Sequence, residues 1–185
     1  MIEPRAAALV ATLTRLVPAD QAEATHRDAV LRLLLATERP FAADQFEPGH
    51  VTASALVLSL SARRVLLIRH PTLGRWLQPG GHVDPTDAGT VDAARRETWE
   101  ETGLAPHLAA VPFDVDVHPI PGRSDRPAHG HYDIRYLATV SGTPAPLGTE
   151  GIDARWCDGP TARSLVDDRG LLRMLAKATA QGRLD

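Results

Sequence analysis

Three carboxylates dominate the chemistry available to this 185-residue chain. Glu97, Glu100 and Glu101 stand at i, i+3 and i+4, so on a helix all three project from one face. Like charges so placed repel by a few tenths of a kcal/mol per pair, about 0.3 in water. A hard divalent cation with oxygen ligands is the natural compensation. Upstream, Gly80-Gly81 allows a backbone carbonyl to approach the same ion, because no side chain blocks the way. Gly103, just past the run, fits a left-handed helix C-cap.

The elements that position this cluster can be read from the pattern around it. The box helix is expected from about Gly89 or Thr90 to Thr102, with Val91, Ala94 and Thr98 on its inner stripe. Thr52–Ser59 and Arg64–Arg69 read as two strands that lead into it, joined by a turn near 61–63. Val65-Leu66-Leu67-Ile68 is apolar throughout, as in a strand covered on both faces. Downstream, 108–117 and 129–140 read as strands, with Pro112 pointing to an edge or a bulge. Trp156-Cys157 ends a short strand, and 160–166 and 170–180 read as closing helices.

Before the two strands, residues 5–17 show helical spacing and Pro18 stops them. Asp20-x-x-Glu23 then opens a second helix to about Thr37 as a capping box. These two helices form an extension over residues 1–40, packed on the main domain of 41–185 or on a dimer partner; covering the substrate is the other reading. His26 is expected at the helix's amphipathic boundary rather than as a ligand.

On the segments 81–104 the sequence resembles the Nudix hydrolase family. Its box runs Gly, five residues, Glu, seven residues, Arg-Glu-(aliphatic)-x-Glu-Glu-x-Gly-(aliphatic). Gly81, Arg96, Glu97, Glu100, Glu101, Gly103 and Leu104 match it. Asp87 stands for the first Glu, eight residues separate it from Arg96, and Thr98 takes an aliphatic slot. Arg96, which directly precedes Glu97, is assigned as the box arginine in preference to Arg95.

The resemblance implies an α/β fold, an α/β/α sandwich around a mixed β-sheet. It implies water attack on a diphosphate linkage in a nucleoside diphosphate derivative or a related small molecule. Mg²⁺ or Mn²⁺ would be held by Glu97, Glu100, Glu101 and the Gly81 carbonyl, and would neutralise phosphate charge and activate water. Glu97, Glu100 or Glu150 would accept the proton; Glu150 enters because it resembles the Glu-rich segment that many members carry after their last long strand. Arg96 would orient a glutamate, reaching back to Asp87. The alternative is a Nudix-fold module that binds a ligand as a sensor without turnover.

Further candidates for substrate contact follow the box in the chain. Trp76 can stack on a base or pack as core. His82 follows the metal-binding glycine. Arg123 and Arg126, in a polar loop, can each grip a phosphate by a bidentate contact. His129-x-His131-x-Asp133 places three polar side chains on one face of a strand.

Composition bounds the rest. A net charge of −3 gives no global basic field for nucleic-acid polymers. Cys157 is the only cysteine, so no intrachain disulfide forms. Lys177 is the only lysine beside nineteen arginines, which excludes a P-loop phosphate lysine in the body of the chain. No run approaches the roughly 18 apolar residues of a membrane span, and the N-terminus lacks a secretory pattern. The expectation is a cytoplasmic enzyme, possible homodimer included, acting on a small diphosphate.

Overall fold

The computed structural model describes residues 2–147 and 152–185. The chain runs α1 (Pro4–Leu13), α2 (Gln21–Ala36), β1 (Gly49–Ser59), β2 (Arg64–Arg69), β3 (Trp76–Leu77), β4 (Gly80–His82), α3 (Thr90–Thr102), β5 (His107–Ile120), β6 (His129–Val140), β7 (Asp153–Cys157), α4 (Gly159–Leu165) and α5 (Arg169–Ala180). The strands form one mixed sheet in the order β3-β2-β1-β6-β5; β4 adds to β1 and β7 to β2. β1 and β6 are parallel and every other pairing is antiparallel.

Helices cover both faces, giving the α/β/α arrangement. Ala6, Leu9 and Leu13 of α1, Val30, Leu33 and Leu34 of α2, and Ala93 and Ala94 of α3 pack with Val51, Ala53, Ala55 and Val57 of β1. On the opposite face, Leu171, Met174 and Leu175 of α5 and Ala162 of α4 pack with Leu56, Leu58, Val65, Leu67 and Leu137. Alternate residues of β1 thus serve two cores, and all eleven are buried.

One feature of that second face creates the site. Its β1 residues change along the strand from Leu58 and Leu56 to Ser54, Thr52 and His50. The apolar half lies under α4 and α5; Ser54 and Thr52 line a groove.

Local chemistry explains the helix ends. Asp20 accepts the Glu23 N–H at 2.7 Å and so caps α2. The Glu23 carboxylate accepts from Ala19 N at 2.6 Å rather than from Asp20. α3 ends at Gly103, whose φ of 66° is the left-handed region that favours glycine. Thr98 is fully buried in the aliphatic slot because its hydroxyl donates to the Ala94 carbonyl at 2.7 Å.

β5 departs from the simple alternation of its sequence. It is an edge strand, and its register with β6 shifts on both sides of Pro112. Val111 is exposed, whereas Asp114 and Asp116 are buried. These aspartates are enclosed by cations. Arg173 of α5 makes a two-pronged contact with Asp114 at 2.8 and 2.7 Å, and Arg135 reaches Asp116 at 3.2 Å. His26 lies 3.1 Å from Asp116. Lys177 joins Asp114, the Phe113 carbonyl and Glu23, the last at 2.9 Å with Glu23 fully buried. This lysine therefore ties α5 to α2 past the sheet edge. Among the described residues, no helix is long and apolar enough to cross a membrane.

Candidate active site

The box helix α3 packs on one face of the sheet, and the groove opens on the other. β4 is the passage between them. Gly81 lies opposite Ala53 of β1, and a Cβ at this position would come within 2.6 Å of the Glu97 carboxyl carbon. Only glycine lets that carboxylate lie against the strand. One residue earlier, the Gly80 N–H donates to Glu101 Oε2 at 2.9 Å. Glu97 and Glu101 both line the groove, which has a volume of about 510 Å³.

Arg96 organises the helix end of the site. It contacts Asp87 at 2.9 Å, Glu97 at 2.9 Å, Glu100 at 3.0 Å and the His82 carbonyl at 2.9 Å. Asp87 is nearly buried and also accepts the Asp84 N–H at 2.8 Å. The shorter acid therefore reaches the box arginine across the eight-residue spacer. Arg95 points elsewhere, to Asp92. Glu100 is about half exposed and lies on the outer side of Arg96.

The two groove carboxylates are held in an environment that asks for positive charge. Burial raises the Glu101 pKa to about 7, against the Gly80 N–H bond, and repulsion from Glu97 and Glu100 adds to the rise. Burial also pushes Glu97 upward, with Arg96 opposing and Glu100 and Asp84 reinforcing. Glu97 and Glu101, beside the side-chain-free Gly80-Gly81 strand, offer oxygen ligands of the kind a divalent cation takes; Glu100 stands beside Arg96.

The groove floor is built from β1 and β6. Asp133 is its hub: it accepts from Ser54 at 2.8 Å, Thr52 at 3.2 Å and Arg135 Nε at 2.9 Å. Gln78 reaches both Ser54, at 3.2 Å, and Asp133, at 3.4 Å. At the end of the floor, the sheet register sets histidines side by side. His50 of β1 pairs with His131 of β6, and His131 with His118 of β5. His82 lies opposite Thr52. Ring centroids of His50, His82, His129 and His131 lie 4.9–5.4 Å apart in the stacked, tilted and edge-on pairs they form. Burial, with the neighbouring imidazoles adding, lowers His131 to about 2 and His50 to about 4, so both rings are neutral at pH 7.

Of the remaining sequence candidates, His129 stands in the histidine cluster, and Trp76, Arg123 and Arg126 do not line the groove. Trp76 is half-buried at the edge of the α4/α5 core, with the Arg155 guanidinium 4.4 Å from its ring centroid. It does not line the groove. Arg123 and Arg126 face each other across an exposed two-strand bridge outside the groove. His129 is buried beside His50, its Nδ1 2.9 Å from the Pro127 carbonyl. Glu150 lies outside the described residues.

Sequence reasoning passed over His50, Thr52, Ser54, Gln78 and Arg135. The run Thr52-x-Ser54 ahead of Leu56 and Leu58 was an available signal, since it marks where one strand face turns polar. The pairing of His50 with His131, more than eighty residues away, had none.

A NUDIX domain model matches residues 48–172, most of the chain, and the protein belongs to that family. Nudix hydrolases generally use divalent metals. Among curated proteins, the m7GpppN-mRNA hydrolase NUDT17 of Bos taurus is 42% identical over 55 residues, 27% of this chain. The chain spans only 18% of the length of that relative. Among solved structures, the E. coli dihydroneopterin triphosphate pyrophosphohydrolase superposes with a TM-score of 0.58 at 17% identity, covering 69% of this chain and 92% of its own. A C. elegans Ap4A hydrolase gives 0.54 at 20% identity, with 70% and 96% covered. At these identities the structures establish the shared fold.

Proposed function

We propose that the protein hydrolyses a diphosphate linkage in a nucleoside diphosphate derivative or related small molecule, with Mg²⁺ or Mn²⁺ held by Glu97, Glu100, Glu101 and the Gly81 carbonyl. The observation that carries this reading is the pair of recessed carboxylates, Glu97 and Glu101, set against Gly80-Gly81 at the rim of a groove. When bound, the cation would offset phosphate charge and lower the pKa of a coordinated water.

The chain's own groups supply position and proton traffic, which are most of what phosphoryl chemistry asks of a protein. Arg96 fixes Glu97 and Glu100 relative to each other and anchors both to Asp87. The Gly80 N–H fixes Glu101. Of the candidate bases among the described residues, Glu97 lines the groove, while Glu100 is about half exposed beside Arg96. Ser54, Thr52, Gln78 and the neutral His131 offer hydrogen bonds to a substrate on the floor, and Arg135 lies at its deep end. In this reading residues 1–40 are a packing extension of the hydrolase domain.

The test is product analysis over a panel of oxidised nucleotides, sugar nucleotides, dinucleoside polyphosphates and coenzymes, with and without Mg²⁺. Cation-dependent cleavage of a diphosphate bond in at least one class is expected. Tight binding of a panel member without turnover would replace this reading with a sensor.

A further inference from the structure

Five of the eight histidines gather at one end of the groove floor, and three of them turn ligand nitrogens toward one another. His50, His82 and His131 each present a ligand nitrogen, and these atoms lie within 4.8 Å of one another. His50 is fully buried. Its Nδ1 lies 3.0 Å from the Gln45 carbonyl, which is the bond of an N–H donor. Its Nε2 is therefore the lone-pair nitrogen, and it is buried with no hydrogen-bond partner. A buried acceptor left unpaired costs about 1–3 kcal/mol.

We propose that His50, His82 and His131 form a second metal site, separate from the carboxylates of the box helix, that takes a borderline divalent ion of the Zn²⁺ type. The ligand chemistry selects that class. Three imidazoles suit zinc and its neighbours, whereas Mg²⁺ demands oxygen. A carbonyl behind a ligating imidazole, as Gln45 stands behind His50, is the usual outer partner that fixes the tautomer and orients the ring. Tetrahedral ligands at about 2.05 Å from zinc lie about 3.3 Å apart, so small side-chain shifts close the triangle.

The backbone dictates this convergence. β1 and β6 set His50 level with His131, and β4 lays His82 across from Thr52, on the same sheet face. Three protein ligands leave one coordination position open. His82 and His131 line the groove, so the open position faces the space assigned to substrate, where it can take an anionic oxygen.

The experiment uses untagged, metal-stripped protein and reads binding, not turnover. Co²⁺ is followed by its visible absorption, and Zn²⁺ by competition against Co²⁺ and by melting temperature, in a large excess of Mg²⁺. One Zn²⁺ per chain should bind despite the Mg²⁺. His82→Ala and His131→Ala should each weaken it by about tenfold or more. Glu97→Gln and Glu101→Gln should leave its affinity within about threefold. Circular dichroism verifies that the variants are folded, and His82→Gln and His131→Gln replace either alanine variant that is not. Absence of stoichiometric Zn²⁺ binding would overturn the proposal. So would binding that survives the histidine changes and disappears with the glutamate changes. Neither result depends on diphosphate hydrolysis, so the two proposals fail separately.

Discussion

Glu101→Gln should make the metal-free protein more stable and the enzyme inactive. The Glu101 pKa stands at about 7, raised mainly by burial, against an ordinary 4.5 in the unfolded chain. A carboxyl so raised opposes folding once it ionises: the cost is absent below pH 4.5, grows as pH rises to 7 and is complete above it. The full shift corresponds to about 3 kcal/mol at pH 8. Glutamine carries no charge to desolvate, and its carbonyl can still accept the Gly80 N–H. Repacking and the coupling to Glu97 reduce the gain, so about 1–3 kcal/mol is expected. For a chain of this size that is about 2–12 °C in Tm. The assay is thermal unfolding of wild type and variant in EDTA at pH 8 and pH 5, then at pH 8 with Mg²⁺. The variant should melt higher at pH 8 in EDTA, and the difference should shrink at pH 5. Only wild type should gain appreciably from Mg²⁺. A variant that melts lower than wild type at pH 8 in EDTA would refute the claim that this carboxylate is held in wait for a cation.

Other perturbations test separate parts of the structure. Arg96→Lys should lower turnover by about tenfold or more, because one ammonium cannot replace a fork spanning Asp87, Glu97 and Glu100; steady-state kinetics on the substrate found by the panel checks this. Lys177→Met should destabilise the protein by about 3 kcal/mol or more, measured by urea unfolding, since it leaves the fully buried Glu23 without its cation. Acid should also unfold the protein through Asp87 and Asp116. Both are buried, which would raise them, but Arg96 holds Asp87 and His118 and Arg135 hold Asp116 well below the usual carboxylate range. Their stabilisation is present above the ordinary value of 3.8 and is lost as pH falls below it. Urea midpoints measured from pH 6 down to pH 3 should therefore drop most steeply below about pH 4, and a flat profile there would count against these pairings.

Much of the fold was legible because its determinants are local. The glutamate spacing, Gly103 and the capping Asp20 each act within one turn of helix, and the apolar runs of β1 and β2 announce burial on both faces. Arg96 could be paired with Asp87 because both bracket a single helix start. Legibility ended where strand pairing takes over. The burial of Asp114 and Asp116 depends on the bulge at Pro112 and on cations from α5, some sixty residues away. The groove floor depends on the β1–β6 register, which joins His50 to His131 and Ser54 to Asp133. Residue types hinted at polar faces there, but no spacing within either strand reveals its partner.

The proposed role of Glu97 and Glu101 is to hold the cation used in diphosphate hydrolysis. Its most direct test is a Mn²⁺ titration, followed by electron paramagnetic resonance, on wild type, Glu97→Gln and Glu101→Gln, with hydrolysis measured on the same samples. Both variants should lose Mn²⁺ affinity and turnover together while remaining folded. Wild-type Mn²⁺ affinity and full hydrolysis in either variant would rule out that role.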